Sequence, residues 1–312
     1  MKNSKLILLA AIAVSAMAGI GGASAADMAV KARPPIVAAP VLYWGGWYAG
    51  LNIGGTWDDN RNADHVAVAG PCNAAFPGCT VVPNYSTTAA IASTFGVPLG
   101  SRGSVIGGGQ IGYNWQAANW LFGIETDIQG VASNNRSASF AAIVPNPNFP
   151  GFPQNYAATI TRQLDYLGTV RGRVGFIANP AFLLYATGGL AYGGVRSSTT
   201  EAITVPLCAG AGSPCTGASF NSNSTTRAGW TVGGGGEWMF SPNWSVKGEY
   251  LYYDLGRVSY GTALNQFCTG AGCAVNGGLF ASTTGTTTTR YNGHIVRVGV
   301  NYHFGGPVVA RY

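Results

Sequence analysis

The sequence predicts an all-β protein, an eight-stranded antiparallel transmembrane β-barrel with long extracellular loops and short periplasmic turns. Two observations predict the strands: eight segments alternate apolar and polar side chains, and the connections between them alternate between short and long. A third points to a membrane, because only 9% of the residues are charged, against roughly 25% in soluble domains.

The N-terminal segment 1–25 is expected to be a cleaved signal peptide. Lys2 and Lys5 precede an apolar run over residues 6–20, and small side chains allow cleavage after Ala25 or Ala26. The run is shorter than the roughly 20 residues that a membrane-spanning helix needs.

Residues 26–44 contain three prolines and show neither helical nor strand periodicity, so we expect an extended, mobile periplasmic linker. The barrel is then expected at 45–304, and residues 305–312 form a C-terminal extension.

Each predicted strand has a period of two, with apolar residues on one face and glycine or polar residues on the other. In the first, for example, Trp47, Leu51 and Trp57 oppose Tyr48 and Asn52. The eight segments are 47–57, 105–115, 120–129, 165–176, 183–194, 228–240, 244–253 and 294–304.

The connections set the orientation of the barrel. Three are only a few residues long, at 117–119, 177–181 and 241–243. Four are long, at 58–102, 131–163, 195–226 and 255–290, and their Ser, Thr, Asn, Gly and Pro content predicts loops. Long loops at one end and tight turns at the other are typical of outer-membrane barrels.

The apolar face is expected to contact lipid. Bulky aromatics such as Trp47, Trp57, Trp115 and Trp120 lie at strand ends, as in the aromatic girdles of membrane barrels. The polar face is rich in glycine, which suits close packing inside a narrow eight-stranded barrel.

The polar faces then place four acids and four bases in the lumen. Because buried charges must be paired and hydrogen-bonded, we expect an ion-pair network that closes the lumen, with a narrow porin as the alternative. The residues are Glu125, Asp127, Arg171, Arg173, Glu237, Lys247, Glu249 and Arg297.

Six cysteines lie two to a loop in three of the long connections. Export to an oxidising compartment favours three short-loop disulfides, although six cysteines allow several connectivities. Zinc is a weaker alternative, because no histidine lies at ligand spacing from any pair. The residues are Cys72 and Cys79, Cys208 and Cys215, and Cys268 and Cys273.

Other function classes receive little support. The formal net charge of +6 includes Lys2 and Lys5, and no basic cluster suits nucleic acid. No G-x-S-x-G elbow occurs, so we expect no enzyme, no cofactor and no metal. Loop binding of a haem-like ligand, for instance through His65, stays open as a further alternative.

Several segments resemble the porin-like small outer-membrane proteins of alphaproteobacteria, and the RopB family of rhizobia is the nearest. They are ASAAD, WGGWYAGLNIGGTW, LGTVRGRVGF, LLYATGGLAYGGV and VRVGVNYHF. The resemblance covers nearly all of the mature chain and implies an OmpA-like barrel in the outer membrane, with relatives named porins, surface antigens and haemin-binding proteins.

The resemblance also implies partners. Outer-membrane lipid and lipopolysaccharide would surround the barrel, and the barrel-assembly machinery would read a last strand ending in an aromatic, here Val300, Tyr302 and Phe304. This chain departs from that pattern by adding GGPVVARY after Phe304. The expected function is a structural and surface-interaction role.

Overall fold

The computed structural model describes residues 42–59, 62–74, 79–80, 84–100, 103–132, 135–146, 149–206, 214–268 and 278–304. Eight antiparallel strands form a closed ring, in which each ring strand pairs with the next one along the chain and the last pairs back with the first. Each of the eight predicted segments lies in one ring strand, so the predicted fold class is confirmed.

The ring strands differ greatly in length. Their bounds are β1 Gly46–Asp58, β4 Ser104–Ala117, β5 Trp120–Ala132, β7 Phe149–Asn179, β8 Phe182–Val205, β9 Cys215–Ser241, β10 Trp244–Cys268 and β11 Leu279–His303. Outside the ring lie β2 Asn62–Cys72, β3 Phe95–Pro98, β6 Arg136–Asn146 and the helix α1 Tyr85–Ala92.

The lower end of the barrel carries the tight turns. β4 and β5, β7 and β8, and β9 and β10 are joined at residues 118–119, 180–181 and 242–243. In the first turn, Ala118 adopts a left-handed conformation with φ 52°. These short connections agree with the prediction.

The outer face of the ring is apolar and carries two rows of aromatic side chains. Leu51 is 73% exposed and Val298 is 55% exposed. The lower row includes Trp47 and Trp115, and the upper row includes Trp57 and Trp230. A strand that rises about 3.3 Å per residue and tilts by about 40° places Trp47 and Trp57 roughly 25 Å apart in height, the height of a lipid-facing band.

The long connections are the main departure from the sequence prediction, because most of their described residues are strands rather than irregular loops. β7 has 31 residues and β9 has 27, whereas about ten residues cross the hydrocarbon layer. The extra length extends the wall above the upper aromatic row. Threonine favours strands because it is β-branched, and the run 286–289 of β11 is all threonine.

In the upper half of the protein, the single 11-stranded sheet separates into two parts. One contains β6 and the extensions of β7, β8 and β9, and the other contains the extensions of β10 and β11 with β2 and β3. Pairing of β9 with β10 stops at Trp230 and Asp254 and resumes at Thr216 and Phe267.

Helix α1 packs between these two parts of the sheet, with Ala89 and Ala92 buried. Asn84 caps its first turn, where the side-chain oxygen accepts the backbone N–H of Thr87 at 2.9 Å. In the described ranges, no helix has the length and hydropathy needed to cross a bilayer.

The predicted linker ends inside the barrel. Trp44 is fully buried, its backbone N–H donates to Gln116 Oε1 at 2.9 Å, and its indole N–H donates to the carbonyl of Pro180 at 3.1 Å. Trp44 is therefore packed inside the lower end of the barrel and is not part of a mobile linker. The predicted signal peptide, residues 26–41 of the linker and the extension 305–312 lie outside the described residues.

Candidate functional site: a buried charge network in the lumen

The period-two alternation of the ring strands brings all eight predicted lumen charges together. β5, β7, β9, β10 and β11 each supply one or two of them, and none of the eight is more than 4% exposed. Four acids face four bases, so the network is formally neutral when all eight are charged.

Arg171 lies at the centre of the network and contacts three carboxylates. Its guanidinium donates to Glu249 Oε1 at 2.8 Å and to Asp127 Oδ2 at 2.9 Å, and it also pairs with Glu125. Its Nε donates to Thr169 Oγ1 at 2.9 Å. One guanidinium thus satisfies acids from two strands, which suits the forked donor geometry of arginine.

Two further cations complete this cluster. Arg297 donates from Nε to Glu249 Oε2 at 2.7 Å and from NH2 to Asp127 Oδ2 at 2.9 Å. Lys247 Nζ lies 2.9 Å from both carboxylate oxygens of Glu125. These distances are typical of charge-assisted hydrogen bonds, which are stronger than neutral ones.

Arg173 and Glu237 form a second cluster below the first. Arg173 NH1 donates to Glu237 Oε2 at 3.2 Å, and its guanidinium carbon lies 4.9 Å from the ring centre of Tyr48 and 5.1 Å from that of Tyr185. Cation–π contact of this kind replaces part of the hydration that the arginine has lost.

Sequence reasoning missed the neutral members of the network. Tyr48 donates to Glu125 Oε2 at 2.7 Å, Asn301 donates to Glu237 Oε1 at 2.7 Å, and Asn114 accepts from Arg173 Nε at 3.0 Å. All three lie on the polar faces of their strands, so the same alternation that located the charges would have found them.

Apolar layers lie on both sides of the charges. Below them, Trp44 packs with Leu121, Ile177, Leu183 and Met239. Above them, a larger cluster fills the lumen, with the buried residues Ile106, Leu164, Leu167, Ala191, Val195, Leu251, Tyr253, Leu255, Val258, Tyr291 and Ile295. Sequence reasoning did not identify either layer, because it assigned the lumen to the polar faces alone.

A serine, a histidine and a glutamate meet at the lower edge of the network. Ser245 Oγ lies 2.6 Å from Glu237 Oε1 and 2.9 Å from His303 Nε2, and Glu237 Oε1 lies 3.5 Å from the same histidine nitrogen. In a catalytic triad the acid and the serine engage opposite nitrogens of the ring. Here both engage Nε2, and the group is buried among network residues.

His65, considered above for a haem-like ligand, is enclosed in the upper half. It is 1% exposed, its Nδ1 lies 2.9 Å from Thr287 Oγ1, and its Nε2 lies 3.4 Å from Glu201 Oε1. Its ring stacks on Phe95 with ring centres 5.3 Å apart. Burial lowers the pKa of His65 below its usual value, although the nearby Glu201 opposes that shift.

The described cysteines of the predicted pairs lie in the connections above the barrel. Cys72 and Cys79 form a disulfide, as predicted. Cys215 and Cys268 each take part in a disulfide. Their predicted partners, Cys208 and Cys273, lie outside the described residues. In the part of the chain that the structure describes, no three His, Cys, Asp or Glu side chains gather as metal ligands.

The three residues of the predicted assembly signal end the ring on its lipid side. Val300 and Tyr302 are 43% and 37% exposed on the outer face of β11. The backbone N–H of Phe304 donates to the carbonyl of Trp47 at 2.9 Å, which extends the pairing of β11 with β1.

A closed antiparallel ring with a lipid-compatible outer face and a charged, packed interior defines a transmembrane β-barrel. Residues 6–304 match the family model described as "Outer membrane protein beta-barrel domain". The chain belongs to this family, and its location is the outer membrane.

Curated relatives support the same assignment. The chain is 30% identical over 303 residues to the "31 kDa outer-membrane immunogenic protein" of Brucella melitensis, which covers 96% of this chain and 100% of that protein. It is 31% identical to the "22 kDa outer membrane protein" of Rhizobium leguminosarum, over 52% of this chain and 59% of that protein. The resemblance to alphaproteobacterial outer-membrane proteins is thereby confirmed.

Among solved structures, the chain is similar to Neisserial surface protein A, at 12% identity and a TM-score of 0.28 over 83% of this chain and 97% of that one. It is also similar to OprG of Pseudomonas aeruginosa, at 11% identity and a TM-score of 0.33 over 83% and 97% of the two chains.

Proposed function

We propose that this outer-membrane protein is a closed barrel with a structural and surface-interaction role. The observation that carries the proposal is the burial of all eight lumen charges, none more than 4% exposed, between two apolar layers. A water-filled pore would leave charged side chains in contact with solvent. An eight-stranded barrel is also just wide enough for its interior side chains to fill it.

The upper half supports the surface-interaction part of the proposal. Its walls rise above the upper aromatic row and enclose a second apolar core around Phe95, Tyr156 and Ile203. A folded structure of this size presents a defined surface outside the membrane. The Brucella relative is named an immunogenic protein, which agrees with exposure at the cell surface.

The remaining parts of the proposal concern chemistry and partners. We assign no enzymatic activity to the protein, and the Ser245, His303 and Glu237 group acts as a structural cluster. The proposed partners are outer-membrane lipid and lipopolysaccharide around the barrel, and the barrel-assembly machinery during insertion.

Planar-bilayer recording of the refolded protein tests the closed lumen. We expect no steady channels from the wild type, because the interior is packed along its length. Steady channels in the wild type would overturn the proposal and establish a narrow porin. Their loss in Arg171→Ala would then tie the ion selectivity to β7. A heat-modifiable gel shift confirms that each preparation contains folded barrel.

A further inference from the structure

Three arginines lie on adjacent strands directly above the upper aromatic row. Arg257 on β10 and Arg290 on β11 lie on the outer face, whereas Arg227 on β9 belongs to the inward-facing set that includes Thr231 and Glu237. Arg257 and Arg290 are direct cross-strand partners. Arg257 is exposed whereas Leu255 and Val258 are buried, which shows that its side chain points away from the interior.

The positive charge of this arginine cluster is only partly neutralised. Arg290 pairs with Asp254, which is 5% exposed. Arg227 donates to the backbone carbonyl of Arg257 rather than to an acid. No carboxylate of the described residues forms an ion pair with Arg257. Like charges opposite each other destabilise a strand pair, so this arrangement favours an anion between the guanidinium groups.

The surroundings of the cluster fit a phosphate at the membrane interface. One row higher, Ser259 and Thr288 are hydrogen-bonded across the strands at 2.9 Å and supply hydroxyl groups. Two rows lower along β11, His294 packs against Tyr252 with ring centres 5.2 Å apart. Aromatic rows of membrane proteins lie at headgroup level, so the arginines are at the height of lipid phosphates.

A fourth arginine, also exposed on the outer face of the wall above the upper aromatic row, has its charge neutralised by an acid. Arg196 on β8 has a side chain that is 56% exposed, and its NH2 lies 3.3 Å from Asp165 Oδ2. Asp165 neutralises the charge of Arg196, so this pair has no excess positive charge to attract an external anion. It therefore provides a matched control for the loss of one exposed guanidinium.

We propose that Arg257 and Arg290 bind a phosphate group on the headgroup of an outer-leaflet glycolipid, that is, the phosphorylated lipid A part of lipopolysaccharide. Arginine suits this ligand because its planar fork donates two hydrogen bonds to one phosphate. The proposal rests on the proposed function for the placement of the barrel in the outer membrane. It does not depend on whether the lumen conducts.

The test measures binding of diphosphorylated lipid A to the full-length protein refolded in uncharged detergent micelles. We expect Arg257→Gln to weaken binding by about tenfold and Arg257→Gln with Arg290→Gln to weaken it further. Arg257→Lys should recover part of the loss, and Arg196→Gln should bind within about twofold of the wild type. Dephosphorylated lipid A should bind the wild type as weakly as diphosphorylated lipid A binds the double variant.

Three outcomes would overturn the proposal. The first is an equal loss of lipid A affinity in Arg257→Gln and Arg196→Gln, and the second is unchanged affinity when the lipid phosphates are removed. The third is displacement of lipid A by millimolar inorganic phosphate alone, which would assign the cluster to free phosphate. The gel shift checks folding of each variant. Conductance of the same preparations tests the closed lumen independently of lipid A binding. Arg257 lies on the outer face, so its substitution should not change the conductance.

Discussion

At the scale of single residues, Arg171 has the largest share of the lumen network. It contacts Glu125, Asp127 and Glu249, which come from two other strands. A buried charge that loses its partner is costly, whereas an exposed ion pair contributes little. The stability of the barrel should therefore depend on this one side chain far more than on any surface arginine.

Replacing Arg171 with methionine tests that dependence. We expect a loss of about 3–5 kcal/mol in the free energy of unfolding, because three carboxylates lose a shared partner in a buried site. Urea titration of the refolded protein in detergent measures it. Arg196→Met is the control, and its exposed pair should cost at most about 1 kcal/mol. Equal stability of the two variants would contradict the role of Arg171.

His65 gives a pH dependence at the same scale. Burial lowers its pKa in the folded state, so between that value and its ordinary value of about 6.5 the unfolded chain binds more protons. The free energy of unfolding should therefore fall as the pH drops through this window.

The measurement is the midpoint of thermal unfolding at mildly acidic and at neutral pH, compared between wild type and His65→Gln. The glutamine can still bond to Thr287 but has no titrating group. We expect the variant to lose less stability on acidification than the wild type. An identical pH profile for the two proteins would rule out His65 as the source.

At the scale of strands, β4 shows how the two faces of the wall impose different limits on side-chain size. A Cβ added to Gly108, which faces inward, would lie 2.7 Å from the Cα of Gln129. At the neighbouring Gly107, which faces outward, the nearest atom would be the carbonyl oxygen of Asn52 at 3.5 Å. Inward glycines thus permit the close approach that a narrow barrel needs.

Replacing each of these two glycines with alanine tests the different limits on side-chain size at the inward and outward faces. Gly108→Ala should destabilise the barrel by about 1–3 kcal/mol, since the backbone must shift to admit the methyl group. Gly107→Ala should be neutral or stabilising by up to about 1 kcal/mol, because it restricts the unfolded chain without a clash. Urea midpoints of the two variants provide the comparison, and the reverse order would show that the face assignment of β4 is wrong.

The same strands show what sequence can predict. Segments such as 165–176 were found because one face meets lipid and the other meets the lumen, which forces a period of two. The strand over 279–290 was missed because both of its faces can be polar: Thr287 is fully buried against His65 and Thr199, and Ser259 and Thr288 pair on the outside. Such strands are recognised only through their long-range pairing.

Among the site residues, the eight charges were predictable because a buried charge stands out in an otherwise apolar or glycine-rich strand. The apolar layers were not, because Leu251 and Ile295 are apolar residues inside a barrel whose apolar side was assigned to lipid. Trp44 was also missed, since its neighbours in sequence show no strand periodicity and its contacts with Gln116 and Pro180 are distant in the chain.

At the scale of the whole molecule, the last strand connects the fold to its assembly. The ring closes through the pairing of β11 with β1, from Asp58 and Gly293 down to Tyr48 and His303. Phe304 follows directly and adds one further hydrogen bond to β1. The extension 305–312 is therefore not needed for closure of the ring.

Truncation after Phe304 tests whether the extension affects insertion. We expect the shortened chain to reach the outer membrane at least as efficiently as the full chain, because an aromatic residue then ends the last strand. Phe304→Ala in the shortened chain should insert less well. The fraction of heat-modifiable protein in isolated outer membranes measures both, and failure of the shortened chain alone would place the signal within 305–312.

The length of the strands has a consequence for how the cell surface changes over time. Cys215 lies 15 positions above Trp230 of the upper aromatic row along β9, which at about 3.3 Å per residue and a tilt of about 40° is a height of roughly 35–40 Å. A large molecule that approaches from outside the cell meets the tips of the wall long before the lipid. Substitutions at the tips can therefore change the exposed surface while the glycines and charges that form the barrel stay constant.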